Sequence, residues 1–248
     1  MRIFVPAFAS LVLLALIVGA WASEASAAPS PSHAAFRVCI DPGHPSEKND
    51  GNELLNGVRE VDVNWEVAQR LKKLLEDKGF VVTMTKSSVR KYVTNRERAF
   101  IANKARVDLM LRLHADSAGP SGFTLYYPRR QGEAQGHKGP PATVIQTSET
   151  VAKIFHPAFA EALRSELKDN GIRGDEQTEI GSKQGALTGS IFSAVPTLLV
   201  EMVNLAKRED ARWISQPEKQ QLMAQALLGG VVVVARQRNS ASSPQSDF

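Results

Sequence analysis

The chain has 248 residues, and 43% of them are hydrophobic, so it is long and apolar enough to bury one full-sized core. Its 17 glycines and 13 prolines are ordinary levels, which excludes a fibrous or low-complexity protein. The formal net charge of +4 is a mild excess of cations scattered along the chain. Such a charge suits attraction to a polyanionic surface such as a cell envelope, and nucleic-acid binding is not expected.

The N-terminus has the layout of a secretory signal peptide. Arg2 precedes a long apolar run from Ile3 to Ala20, and Ala25-Ser26-Ala27 then offers small residues for cleavage. We therefore predict a signal peptide over residues 1–28 and an exported protein, periplasmic or extracellular. A retained membrane anchor is the rival interpretation, because the run approaches spanning length. The small residues favour cleavage, after which no stable membrane insertion is expected.

One domain is predicted over residues 36–236, between a linker at 29–35 and a polar, disordered tail at 237–248. Because strands alternate with helices along it, the predicted fold class is α/β, with a mostly parallel central sheet flanked by helices in a three-layer sandwich. The predicted elements, in chain order, are strand Phe36–Ile40, helix Glu60–Lys78, strand Phe80–Thr85, helix Thr94–Lys104, strands Val107–Leu113 and Phe123–Tyr127, a helix within Glu149–Lys168, strand Thr197–Met202 and a closing helix from Pro217.

Four further features qualify this outline. Pro128–Thr147 is rich in Gly, Pro and Gln and is predicted to be an exposed loop, and Gly171–Ser193 is predicted to be irregular. Pro157 must either kink its helix or open the main helical segment, because an interior proline removes a hydrogen bond. Cys39 is the only cysteine, which excludes an internal disulfide, and its place in the first strand predicts a buried, inert thiol.

Chemistry-bearing side chains recur where apolar runs end. His44 follows the first strand, Glu60 opens the first helix, His114 ends the third strand, and Glu201 lies at the end of the last one. Ligands of open α/β sheets gather at the carboxyl ends of the strands, so these four side chains can converge. Two imidazoles and a carboxylate form a hydrolytic zinc site with an open position, and a second carboxylate supplies a base. The pattern predicts a metal-dependent hydrolase.

Each of these residues also has a simpler explanation when taken alone. His44 is consistent with a loop histidine, Glu60 with a carboxylate favoured by the helix dipole, and His114 with a hydrogen-bonded core histidine. Glu201 is harder to explain, because it interrupts the apolar run Leu198–Met202, where a carboxylate requires a partner. The spacing matches no compact zinc signature such as H-E-x-x-H.

Four ordered segments resemble a known family. Ile40-Asp41-Pro42-Gly43-His44, Arg59 to Asn64, Leu113 to Asp116 and Pro196 to Glu201 look like the zinc-dependent N-acetylmuramoyl-L-alanine amidases of bacterial cell walls. The similarity runs in order from about Phe36 to Val234 and includes the Arg98 to Asn103 helix segment. It therefore covers nearly the whole mature chain.

The resemblance implies a site and a reaction. Carried over by position, His44, Glu60 and His114 bind Zn²⁺, and Glu201 is the catalytic glutamate. The family fold is an α/β sandwich, and the substrate is the amide between the lactyl group of N-acetylmuramic acid and L-alanine in peptidoglycan. A peptidase acting within the stem peptide and a non-catalytic peptidoglycan-binding protein of the same fold remain alternatives.

Neighbours of these residues leave two questions open. Asp41 or Asp62 could orient a ligand histidine, but a turn or capping aspartate explains each equally well. Relatives usually carry a serine two residues before the second ligand histidine and an asparagine two residues after it, where this chain has Arg112 and Asp116. Arg112 could hold a substrate carboxylate in the cleft, or it could pair with a nearby acid, which we slightly favour.

No obligatory activator is predicted, and a monomer is expected. Some relatives carry an inserted helix that covers the zinc, but Pro128–Thr147 and Gly174–Gly189 are interrupted by glycines and have little helical spacing. Their glutamates, Glu133, Glu176 and Glu179, are expected to be solvated loop charges. We therefore expect an open cleft.

Overall fold

The computed structural model describes residue 1 and residues 35–242 of the chain. The predicted signal peptide and nearly all of the predicted linker lie outside the described residues. Among the helices that are described, none combines the length and apolarity needed to cross a membrane.

Ten strands and seven α-helices make up the described domain. The strands are β1 Arg37–Pro42, β2 Leu54–Leu55, β3 Val58–Arg59, β4 Val81–Met84, β5 Leu109–Asp116, β6 Phe123–Tyr127, β7 Gly132–Ala134, β8 His137–Gly139, β9 Asp169–Gly174 and β10 Thr197–Asn204. The helices are α1 Glu60–Asp77, α2 Asn95–Ala105, α3 Ala142–Leu163, α4 Glu179–Gln184, α5 Thr188–Ile191, α6 Arg208–Ile214 and α7 Pro217–Ser242.

Six strands form the central sheet in the order β4-β1-β5-β10-β6-β9. The strands β4, β1, β5 and β10 run parallel to one another, whereas β6 is antiparallel to β10 and parallel to β9. The predicted α/β class with a mostly parallel, helix-flanked sheet is therefore confirmed. The central strands β5 and β10 are the near-continuous apolar runs expected of strands covered on both faces.

The two faces of the sheet carry different side chains, because successive residues of a strand point to opposite faces. Leu111, Leu113, Leu198 and Val200 belong to the main core, which is shared with helices α1, α3 and α7. The intervening residues on β1, β5 and β10 face the other way, where α2 and α5 pack together. This second face carries the polar residues of the candidate site, together with Cys39, which is buried as predicted.

Several elements differ from the sequence-based expectations. The stretch predicted to be irregular contains strand β9 and helices α4 and α5, and the predicted exposed loop contains the hairpin β7–β8 and the start of α3. Helix α3 begins next to Pro141, where the missing proline N–H costs nothing because the first-turn N–H groups have no helical partner. The helix then continues through Pro157, so the expectation that Pro157 opens the main segment is wrong. Packing of the buried Phe155 and Phe159 explains why the helix persists there.

The tail predicted to be disordered is helical as far as Ser242, within α7. Arg238 forms an ion pair with Asp108, and its guanidinium lies 5.2 Å from the ring centroid of Phe36. These contacts tie the end of the helix to the start of the domain. The polar composition of this segment did not predict these contacts.

A buried ion cluster holds the turn after β1. The carboxylate of Asp41 is fully buried and accepts hydrogen bonds from Arg98 Nη1 (2.7 Å) and Arg112 Nε (2.9 Å). Arg98 also donates to the carbonyl oxygens of Pro42 and Pro45, at 2.7 and 2.9 Å. Burial alone would raise the pKa of Asp41, but the two guanidinium charges outweigh it and hold the pKa well below its ordinary value.

We predict that Asp41→Asn lowers the free energy of unfolding by about 3–5 kcal/mol, because it leaves two buried guanidinium groups without a countercharge. The pKa of Asp41 is lower in the folded protein than the value of about 3.9 in the unfolded chain. Its contribution to the free energy of unfolding is therefore fully present above that unfolded pKa and is lost as pH falls toward the folded pKa. Urea unfolding should therefore show a difference between parent and variant at pH 7 that narrows below about pH 4.

Asp77→Asn is the matched control, because Asp77 pairs with Lys73 on the exposed end of α1. It should unfold like the parent. An Asp41→Asn protein as stable as the parent at pH 7 would contradict the account of the ion cluster.

Candidate metal centre

His44 lies on the turn that follows β1, with its backbone in the left-handed region at φ 57°. Its Nδ1 donates to the carbonyl oxygen of Asn49 at 3.0 Å, so Nε2 points away from that loop, toward Glu60. The His44 Nε2 to Glu60 Oε2 distance is 3.0 Å. Burial lowers the pKa of His44, but the hydrogen bond and charge of Glu60 outweigh this, and the net pKa is raised.

Glu60 is the first residue of α1, where the helix dipole favours a carboxylate. Its Oε1 accepts hydrogen bonds from the Asn64 side chain and from the Ala115 backbone N–H, both at 3.2 Å. Burial disfavours the charged carboxylate, yet the bonds to His114 and His44 hold the pKa of Glu60 well below its ordinary value. The carboxylate is therefore fixed in position and ionised.

His114 lies on β5, with Nδ1 3.0 Å from Glu60 Oε1. Its ring fits against Gly43, where an added Cβ would lie only 2.4 Å from His114 Cε1, so a larger residue than glycine would displace the imidazole. Burial lowers the pKa of His114, whereas the hydrogen bond and charge of Glu60 raise it. Burial has the larger effect, so the net pKa is lowered and the neutral ring is favoured. Its Nε2 is buried without a hydrogen-bond partner.

The three sequence-predicted ligands thus converge. One ligand atom each from His44, Glu60 and His114 lies within 4.8 Å of the other two. Two imidazole nitrogens and one carboxylate oxygen form the donor set of a catalytic zinc site that keeps a fourth position open. The hydrogen bond from His44 Nδ1 to a backbone carbonyl fixes the tautomer that leaves Nε2 for a metal, as outer-shell bonds to metal-binding histidines usually do.

Glu201 lies on β10 directly opposite His114 on β5 and Thr124 on β6. Its Oε2 is buried and has no hydrogen-bond partner. Burial, assisted by the negative charges of Asp116 and Glu60, raises the pKa of Glu201 well above its ordinary value. An unpaired buried carboxyl with a raised pKa beside a metal-binding cluster is suited to accept and return a proton.

A cavity of about 430 Å³ opens over these residues. His44, His114 and Glu201 line it, together with Arg112, Asp116, Thr124, Tyr126, Arg173, Leu199 and residues of the 177–180 and 187–188 segments. The predicted exposed loop, Pro128–Thr147, does not line it. The cavity is large enough for a small polar substrate to approach the cluster.

The questions about neighbouring residues are now answered. Asp41 pairs with Arg98 and Arg112, and Asp62 pairs with Arg90, so neither aspartate orients a ligand histidine. Arg112 is the arginine paired with an acid, as favoured, and its Nη2 also donates to Asn95 at 2.6 Å.

Sequence reasoning missed two groups that position the ligands. These are the Asn49 carbonyl oxygen, which holds His44, and the Asn64 amide, which holds Glu60. The carbonyl gives no sequence signal. The spacing of Asn64 four residues after Glu60 on one helix face could have identified the second group.

One of the three glutamates that were predicted to be solvated is instead buried. Glu176 is buried and pairs with Arg129, so the prediction of a solvated charge is wrong there. Glu179 begins α4 and pairs with Lys183, but its side chain is 82% exposed, so it is solvated as predicted although it is helical.

Comparison with known proteins identifies the family. A family model described as N-acetylmuramoyl-L-alanine amidase matches residues 38–232. An N-acetylmuramoyl-L-alanine amidase of Mycobacterium tuberculosis is 27% identical over 233 residues, covering 84% of this chain and 90% of that protein. The LytC amidase of Bacillus subtilis is 28% identical over 198 residues, covering 79% of this chain but only 34% of that protein.

Solved structures show the same fold. The AmiC2 amidase of Nostoc punctiforme superposes with a TM-score of 0.65 at 22% identity, covering 81% of this chain and 97% of that one. An amidase from Clostridium difficile 630 gives a TM-score of 0.66 at 19% identity, covering 82% and 98%. Because the family model spans most of the described domain, this chain belongs to the N-acetylmuramoyl-L-alanine amidase family.

Proposed function

We propose that this protein is a zinc-dependent amidase that hydrolyses the amide between the lactyl group of N-acetylmuramic acid and L-alanine in peptidoglycan. The observation that carries the proposal is the convergence of His44, Glu60 and His114 within 4.8 Å, with Glu201 directly opposite His114 on the neighbouring strand. Family membership supports the choice of substrate, since the related proteins are named for cleaving this bond.

In this proposal His44, Glu60 and His114 would hold Zn²⁺. Bound zinc supplies a Lewis acid that polarises a carbonyl oxygen and lowers the pKa of a coordinated water to about 7. The ionised Glu60 and the neutral His114 are in the protonation states that a metal requires, whereas His44, whose pKa is raised, would have to be deprotonated to serve as a ligand.

Glu201 is the proposed general base and acid. Its carboxylate would accept a proton from the attacking water and return it to the departing alanine nitrogen. Neighbouring negative charge raises the pKa of Glu201, and a divalent cation in the cluster would oppose that effect and favour the ionised base. Among the described residues, Glu201, Asp175 and Glu176 are the carboxyls with a buried oxygen that has no hydrogen-bond partner, and of these Glu201 lines the cavity over the cluster.

We further propose that residues 1–28 are a cleaved signal peptide and that the mature protein acts in the cell envelope as a monomer. Peptidoglycan is the binding partner expected in the cell envelope. The mild positive charge of the chain favours association with such a polyanionic surface.

We predict that the purified mature protein hydrolyses peptidoglycan without an activator. Glu179 is the carboxylate of the α4 segment that lines the cavity, and it binds Lys183 rather than a ligand histidine, so the cluster is left accessible. The measurement is dye release from labelled sacculi by the parent, by Glu179→Ala and by the control Glu133→Ala, with similar rates expected. A silent parent beside an active Glu179→Ala protein would show that this segment blocks the site.

We predict that His114→Ala and Glu201→Gln fail in different ways. His114→Ala removes one of three ligands and should lose zinc, whereas Glu201→Gln should keep zinc and lose about 10²–10⁴-fold in rate. Elemental analysis of the metal and dye release from sacculi give the two readouts. His137→Ala, an exposed histidine on β8, is the matched control and should keep both. Normal turnover by Glu201→Gln would make Glu201 a structural carboxylate, and full zinc content in His114→Ala would remove His114 from the ligand set.

A further inference from the structure

Arg173 is a cation in the catalytic cleft that has no carboxylate partner within the described part of the chain. Three other arginines each have a carboxylate partner, since Arg98 and Arg112 share Asp41, and Arg129 pairs with Glu176. Arg173 instead lies beside Tyr126, its register partner on β6, whose phenol is neutral. Its side chain is only partly exposed and lines the cavity over the metal cluster.

Strand register puts Arg173 on the same face as the proposed catalytic residues. Arg173 lies opposite Tyr126, and Tyr126 lies opposite Leu199, which is two residues before Glu201 on β10. Residues opposite one another in a ladder, and residues two apart along a strand, share a face of the sheet. The face that holds His114 and Glu201 therefore extends to Arg173 at the sheet edge.

The distance between Arg173 and Glu201 suits the binding of a substrate group that lies close to the bond that is cut. Neighbouring strands lie about 4.8 Å apart and residues rise about 3.3 Å along a strand, so the Cα atoms of Arg173 and Glu201 are roughly 12 Å apart. The long arginine side chain covers part of this distance. An extended peptide spans at most about 3.6 Å per residue, so the distance that remains corresponds to one or two residues of the bound substrate peptide.

We propose that Arg173 binds a carboxylate on the stem peptide, one or two residues beyond the amide that is hydrolysed. This inference rests on the proposed function and adds the substrate feature that the cleft selects. A partly buried guanidinium loses hydration that a neutral phenol replaces only in part, whereas a carboxylate offers paired, charge-assisted hydrogen bonds. The residue that follows L-alanine in the stem carries either a free α-carboxylate or the corresponding amide, so Arg173 would favour the acid.

Other cationic groups of the cleft are less suited to this role. The guanidinium of Arg112 is already bound to Asp41 and Asn95. Lys48 lines the cavity from the exposed loop after β1, where water screens its charge. Asp116 also lines the cavity, and its carboxylate would repel a substrate carboxylate placed next to it.

The test compares two muramyl dipeptides that differ in one group. One carries D-glutamate with its free α-carboxylate after L-alanine, and the other carries the α-amide. The parent should show a kcat/KM about tenfold to a hundredfold higher for the acid, since a hydrogen bond to a charged group contributes on that scale. Arg173→Gln should lose this preference through the acid's KM and leave the amide nearly unchanged, and Arg173→Lys should keep part of it.

Lys48→Gln is the matched control and should keep the acid preference. Calorimetric binding of both dipeptides to Glu201→Gln protein, with and without Arg173→Gln, measures the same preference without turnover. If the parent cleaves neither dipeptide, the proposed function is at fault, and the calorimetric difference still decides this inference. An acid preference that survives Arg173→Gln, or a parent that binds acid and amide equally, would overturn it.

Discussion

The two-residue alternation of side chains along the central strands is the constraint on which the rest of this molecule depends. On β5, Leu111 and Leu113 enter the main core, while Arg112 and His114 point to the opposite face. A one-residue slip in the register of β5 would exchange the two sets, burying charges in the core and exposing leucines. The apolar face thus fixes the register, and the register fixes which residues meet at the candidate metal centre.

The second face of the sheet, which carries the polar side chains, is covered as well, so the charged groups buried there need partners of opposite charge. Asp41 meets this requirement in part, because its carboxylate forms an ion pair with both Arg98 and Arg112. Arg98 in turn binds the backbone carbonyls on both sides of the turn that bears His44, so the ion cluster also holds a proposed zinc ligand in place. Lys86, buried behind the same turn, donates to the carbonyl oxygen of Gly43 at 3.4 Å. His44 is therefore held in place through the backbone carbonyls of its own turn.

Much of this arrangement follows from local sequence. Apolar runs and turn residues were enough to predict five of the six strands of the central sheet and helix α1, and a glutamate inside the run Leu198–Met202 required a polar neighbour. Strand β9 was missed because its sequence, DNGIRG, has two glycines and little apolar content, and it is ordered by pairing with β6 at the sheet edge. Arg173 was missed with it. The partners of Asp41 were also hidden, since they come from residues 57 and 71 positions away.

The central claim is that a metal held by His44, Glu60 and His114 cuts the bond between sugar and peptide. Digestion of purified peptidoglycan by the mature protein, before and after chelation and again after zinc is restored, tests it most directly. Mass spectrometry of the products should show muramic acid with a free lactyl carboxyl and peptides that begin with L-alanine. Both should disappear with the chelator and return with zinc. New amino termini within the stem peptide, or digestion that chelation leaves unchanged, would contradict the account.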